Sequence, residues 1–207
     1  MNLDSKPPEL PASIPIAISA RHAHLSQATV DALFGPGHLL RVKQALAQPG
    51  QFAAEETITL AGPRGRLAQV RVMGPPRAAD QIEISRSDEI ALGIDAPLRL
   101  SGSLADTPGI ELIGPAGRVT MTSGVVNPLR HIHMSPEDAR RFGVVDRERV
   151  SVAIDSDGRD LIFGDVVVRV SPQFRLELHL DTDEGNAAGV APSTTARLVR
   201  ESGRGSE

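Results

Sequence analysis

One short segment recurs three times along this chain and constrains its fold more than any bulk property does. Arg21-His22-Ala23-His24-Leu25-Ser26 is echoed by Arg130-His131-Ile132-His133-Met134-Ser135, with a looser copy at Gln81-Ile82-Glu83-Ile84-Ser85. Each copy ends on a serine whose hydroxyl can accept a bond from a free amide of a first helical turn. Pro136 fits the first helical position, and Asp88 and Asp138 stand where a carboxylate suits the positive end of a helix. Gly93 and Gly143 stop the helices after about two turns. A strand, a cap and a short helix are therefore expected three times.

The rest of the chain reads as short strands. Alternating or β-branched runs lie at Ile14–Ser19, Thr57–Leu60, Ala68–Met73, Gln81–Ser85, Leu98–Leu100, Ile110–Ile113, Arg118–Thr122, Val150–Ile154, Val166–Val170 and Arg175–Leu180. Gly62-Pro63-Arg64-Gly65, Gly114-Pro115-Ala116-Gly117 and Asp157-Gly158 supply tight turns, which predicts antiparallel hairpins around them. The spacing predicts a mainly β chain of barrel or sandwich type. With 207 residues, 40% of them hydrophobic, it can bury a core as one compact unit or two small ones. No apolar stretch of about eighteen residues occurs, so no membrane partner is expected.

The net charge of −4, and the lack of a basic run interleaved with aromatics, argue against nucleic acid. The absence of cysteine removes disulfides, thiolate metal sites and cysteine nucleophiles together. Met1–Ser13 is polar and contains proline, with no basic start or apolar stretch of a secretory signal; it and 201–207 are expected to be flexible arms.

The chemistry lies in the repeat. Two residues before each capping serine stand His24, Glu83 and His133. On an extended strand, side chains two apart share a face, so His22 with His24, and His131 with His133, can each grip one ion. A fifth histidine, His179, alternates with apolar residues just before an acidic, glycine-containing loop; only His38 falls outside the pattern. Such pairs can also satisfy hydrogen bonds where a helix packs on a strand, but a buried Glu83 would be costly without a cation or metal beside it. Five histidines and one carboxylate suffice for two ions with three protein ligands each, leaving positions open for water or substrate. Zinc suits imidazole best, and cobalt, iron and nickel would accept similar ligands. Arg77, after the turn Gly74-Pro75-Pro76, would approach the metals and could fork onto a phosphate, or stand as a solvated loop arginine.

These residues carry a family resemblance. Ala20-Arg21-His22-Ala23-His24-Leu25-Ser26, Gln48-Pro49-Gly50-Gln51-Phe52-Ala53-Ala54-Glu55-Glu56, Glu83-Ile84-Ser85-Arg86 and Arg130-His131-Ile132-His133-Met134-Ser135 occur in order over nearly the whole chain. The chain thereby resembles the PduL-type phosphotransacylases, or phosphate propanoyltransferases, of bacterial microcompartment operons and of stand-alone pathways. The resemblance implies two zinc ions held by His22, His24, Glu83, His131, His133 and His179, with Arg77 as the catalytic residue that seats phosphate. It implies two small β-barrels capped by short helices: a discontinuous one of about 14–20 with 129–200, and one of about 21–128. It also implies a homodimer.

The implied reaction interconverts a short-chain acyl-CoA, propionyl or acetyl, and phosphate with acyl phosphate and coenzyme A, as in propanediol degradation. Compartment-targeted members carry an amphipathic N-terminal helix. Pro7, Pro8 and Pro11 break any such helix here, so a cytoplasmic form, or one with a trimmed targeting peptide, is expected, with a microcompartment lumen as the alternative location. Two other readings of the residues stay open: a dinuclear metal-dependent hydrolase, and a non-catalytic metal-stabilised binding module.

Overall fold

The computed structural model describes residues 13–199. The arms expected at Met1–Ser13 and 201–207, and the question of a targeting helix, fall outside these residues apart from Ser13. Among the described residues, fifteen strands and four short helices follow in chain order. They are β1 (Ile14–Ile18), β2 (His22–His24), α1 (Gln27–Phe34), β3 (Val42–Ala45), β4 (Phe52–Ala61), β5 (Arg66–Gly74), β6 (Gln81–Glu83), α2 (Arg86–Leu92), β7 (Leu98–Arg99) and β8 (Glu111–Ile113). Then come β9 (Arg118–Thr120), β10 (Val125–Pro128), β11 (His131–Met134), α3 (Pro136–Phe142), β12 (Arg149–Ile154), β13 (Leu161–Val170), β14 (Glu177–Leu180), α4 (Thr182–Ala187) and β15 (Thr195–Val199). The chain is mainly β, as expected, and no helix among the described residues is long and apolar enough to cross a membrane.

The capping serines act as the repeat predicts. Ser26, Ser85 and Ser135 accept from Thr29, Asp88 and Asp138 amides, and the last two pairs close full capping boxes. Helix α1 has threonine where the others have aspartate. Asp80 supplies the missing carboxylate from a distant loop, accepting from Ser26 N–H and from the Thr29 hydroxyl, each at 2.6 Å. Gly93 and Gly143 end α2 and α3 in the left-handed conformation.

Two compact units result. The first comprises 18–129 with 181–183. Its nine strands form one curled sheet in the order β7-β10-β6-β2-β5-β4-β8-β9, with β3 on β4. Its core gathers Leu25, Val30 and Leu33 from the α1 region with Leu60, Val72, Ile82 and Leu92. Within it the two Gly-Pro turns are exchanged between repeats. The β4–β5 turn docks on the end of α2, where Arg64 N–H donates to Leu92 O at 3.0 Å; the β8–β9 turn docks on α1 through Ala116 N–H and Leu33 O at 2.9 Å. A Cβ added at Gly62 would fall on the Leu92 carbonyl and one at Gly114 on that of Leu33, so both turns need glycine there.

The second unit comprises 13–17, 130–180 and 184–199 among the described residues. It is a closed barrel in the order β1-β14-β11-β13-β12-β15, sealed where β1 pairs antiparallel with β15, Ile14 opposite Ala196. Ile132, Met134, Phe142, Val152, Val168 and Leu178 fill it.

Four elements differ from the sequence reading. Strand β10 is buried and pairs in parallel with β6 and β7, so it lacks alternation; β3 is exposed throughout and shows no inward face. Strand β15 was not anticipated either. The acidic segment after Leu180, expected as a loop, forms α4; an interior glycine, Gly185, lowers its helix propensity and hides it.

Candidate functional site

Both histidine pairs sit on strands held in the same way. Strand β2 lies between β5, parallel, and β6, antiparallel, and this register sets Glu83 opposite His22. Strand β11 lies between β13, parallel, and β14, antiparallel, which sets His179 opposite His131. Ala23 and Ile132 turn inward to the cores, so each flanking pair of histidines shares the other face. Glu83 and His179 are thus equivalent by register, a relation that their different residue types conceal in the sequence.

The parallel extends to the anchors. Arg21, before the first pair, meets Asp88 at 2.8 Å, and Arg130, before the second, meets Glu184 at 3.0 Å. Asp88 and Glu184 each lie five residues beyond the third member of their group, on the short helix that follows it. Helix α4 is therefore the counterpart of α2.

In the first group, the His22 Nδ1–H donates to the Ala20 carbonyl at 2.9 Å, which leaves Nε2 as the lone-pair atom of the neutral ring. That Nε2 lies 3.1 Å from His24 Nε2 and 3.5 Å from Glu83 Oε2. Glu83 Oε1 is 4.0 Å from His24 Nε2. In the second group, the His131 and His179 rings stack 4.9 Å apart, and His133 meets them edge-on at 4.7 and 4.6 Å.

Both groups fit a metal. In each, the ligand-type atoms lie within 4.8 Å of one another, a spacing that small side-chain rotations close onto one ion. Both ring nitrogens of His133 are buried without a hydrogen-bond partner, an arrangement costly in a protein core unless a ligand is bound there. Burial, then the neighbouring His22 and Arg77, push His24 down to about 2, against the opposing pull of Glu83. Burial with His131, His179 and Arg169 does the same to His133. Neutral imidazoles are what a metal requires.

The profile of the family described as phosphate propanoyltransferase matches residues 15–191. The phosphate propanoyltransferase of Salmonella typhimurium is 54% identical over 187 residues, 90% of this chain and 89% of that protein. Those of Escherichia fergusonii, 54% over 190 residues (91% and 90%), and Shewanella putrefaciens, 52% over 188 (90% and 89%), are similarly close. The chain belongs to the phosphate propanoyltransferase family.

Within this family member, Arg77 stands near enough to His24 to lower its basicity, and its backbone N–H is tied to Leu25 O at 2.8 Å. His38 stands apart, bonded to Glu56 at 2.9 Å and stacked on Phe34. The sequence reading omitted several neighbours of the two groups. Phe174 stacks on His133 with ring centroids 4.1 Å apart, and the Arg169 guanidinium lies over the Phe174 ring, 5.6 Å from its centroid. Glu177 lies opposite His133 and 3.0 Å from His179 Nε2; Gln81 lies opposite His24 and donates to Glu83 at 2.6 Å. The alternation of Glu177 with His179, and of Gln81 with Glu83, was the signal available for these two. Nothing in the local pattern marks Arg169 or Phe174.

Proposed function

We propose that the chain is a phosphate acyltransferase that interconverts propionyl-CoA or acetyl-CoA plus phosphate with acyl phosphate plus coenzyme A, using two zinc ions. Family membership and three relatives bearing the phosphate propanoyltransferase name support the acyl transfer. The observation that carries the metal reading is the twofold occurrence of one strand arrangement, each converging three ligand-type side chains. His22, His24 and Glu83 would hold one ion, and His131, His133 and His179 the other. When bound, the ions would contribute positive charge to the binding of phosphate and to the oxyanion of the thioester carbonyl.

The chain's own groups supply the rest. The Arg77 guanidinium, which bonds to Ser101 at 3.4 Å, seats phosphate with two parallel donors and offsets its charge. A phosphate oxygen attacks the thioester carbonyl, the C–S bond breaks, and the thiolate leaves and takes a proton from solvent. Holding phosphate and thioester together supplies much of the acceleration. The same reading takes acyl-CoA and phosphate as the partners and a homodimer in the cytoplasm as the working form.

The test is thiol release from acetyl-CoA and propionyl-CoA, with and without phosphate, on metal-analysed protein before and after chelation. Release that needs both phosphate and metal is expected. Release without phosphate would make the protein a hydrolase, and none from fully loaded protein would make it a binding module. Arg77→Ala is expected to retain its metal while the phosphate KM rises about 10- to 100-fold, the value of a charged hydrogen-bonded contact.

A further inference from the structure

Gln81 is a buried amide, 2% exposed, that neither the ligand groups nor the phosphate contact account for. Both of its N–H donors and its carbonyl oxygen are engaged. Its Nε2 donates to Glu83 Oε1 at 2.6 Å and to Ser101 Oγ at 2.9 Å, while its Oε1 accepts from Gly102 N–H at 2.8 Å. The Ser101 hydroxyl in turn accepts from Arg77 Nη1. An unbroken path therefore runs from the Glu83 carboxylate through one amide and one hydroxyl to the Arg77 guanidinium.

We infer that Gln81 and Ser101 are positioning residues that lock the Glu83 carboxylate and the Arg77 guanidinium into one fixed relation. The inference rests on the acyltransferase reading for the role of Arg77, but not for that of Glu83. Only an amide can do this at position 81. A carboxylate would bring no donor and would repel Glu83, and an apolar side chain of the same length would leave the carboxylate oxygen and the Gly102 N–H unmet. The other unit carries the complement. Glu177 occupies the equivalent register position, opposite His133 as Gln81 is opposite His24, and its carboxylate faces the His179 imidazole. An acceptor ligand is met by a donor, and a potential donor ligand by an acceptor. Outer groups of this kind set ligand orientation and typically tune metal affinity about 10- to 100-fold.

The experiment compares Gln81→Met, Ser101→Ala and Ser101→Thr with the parent protein. Zinc affinity is measured by chelator competition, and kcat and phosphate KM by thiol release. Gln81→Met is expected to weaken one of two zinc equivalents about 10- to 100-fold and to raise the phosphate KM. Ser101→Ala is expected to raise the phosphate KM several-fold with both zinc equivalents and kcat retained, and Ser101→Thr, which keeps the hydroxyl, to restore it. Parental zinc affinity in folded Gln81→Met would overturn the inference. So would a parental phosphate KM in Ser101→Ala, which serves if Gln81→Met does not fold. A parent protein without phosphate-dependent thiol release would overturn the acyltransferase reading instead, and the zinc titration would still decide the role of Gln81.

Discussion

Burial holds His24 and His133 neutral at any ordinary pH, and this has a cost that appears in acid. Each titrates near 6.5 in the unfolded chain and near 2 when folded. Between those values the unfolded state binds more protons, so the stability of the metal-free protein is fully present above about pH 6.5 and is lost as pH falls below it. The loss is about 1.4 kcal/mol per pH unit for each histidine. Urea midpoints of chelated protein are expected to fall between about pH 7.5 and about pH 5.5, with a shallower fall in a His133→Ala variant that removes one of the two groups. His133→Ala is also expected to lose metal and at least about 100-fold in activity together, as elemental analysis and thiol release would read. His38→Ala serves as the control: its bond to Glu56 lies in a different cluster, so metal and turnover should persist at a stability cost of about 1 kcal/mol. The two histidine pairs were legible because they repeat. Gln81 and Ser101 were not, because their partnership spans twenty residues and exists only once the 101–102 turn has folded against β6.

Among the elements, α1, α2 and α3 were the most legible, since each is specified by its own few residues: a serine cap, an acid three positions on in α2 and α3, and a stopping glycine. Helix α1 shows the limit of that local code, because its carboxylate comes from Asp80, 51 residues beyond Thr29. Strands with one wet face were legible by alternation, whereas β10, buried between two parallel neighbours, carried no such signal. The Gly-Pro turns read correctly as hairpins, but their second task, clasping the end of the other repeat's helix, needs the fold. We expect Gly62→Ala and Gly114→Ala each to destabilise by about 1–3 kcal/mol through overpacking against a helix carbonyl. Gly158→Ala, where a Cβ meets nothing within 4 Å but φ is +76°, should cost about 1 kcal/mol from backbone strain alone. Denaturant midpoints of the three variants against the parent read both costs, and shortening the Leu92 side chain should not relieve the Gly62 variant, because the obstruction there is the Leu92 backbone carbonyl.

At the scale of the whole chain, the two units differ in how their strands are gathered. Apart from 181–183, one unit is drawn from a single continuous stretch, while the barrel takes β1 from the start and its remaining strands from the second half. During synthesis, β1 leaves the ribosome well before its neighbours β14 and β15, so an apolar strand must wait unpaired while the strands between them are made. Contacts so distant in sequence close slowly, and a waiting strand is exposed to pairing with the wrong chain. Pro15, inside β1, withholds one backbone donor from any such mispairing and is accommodated at the seam with β15. The barrel is thus a clasp whose first half is made long before its second, and the proline keeps the open end from catching.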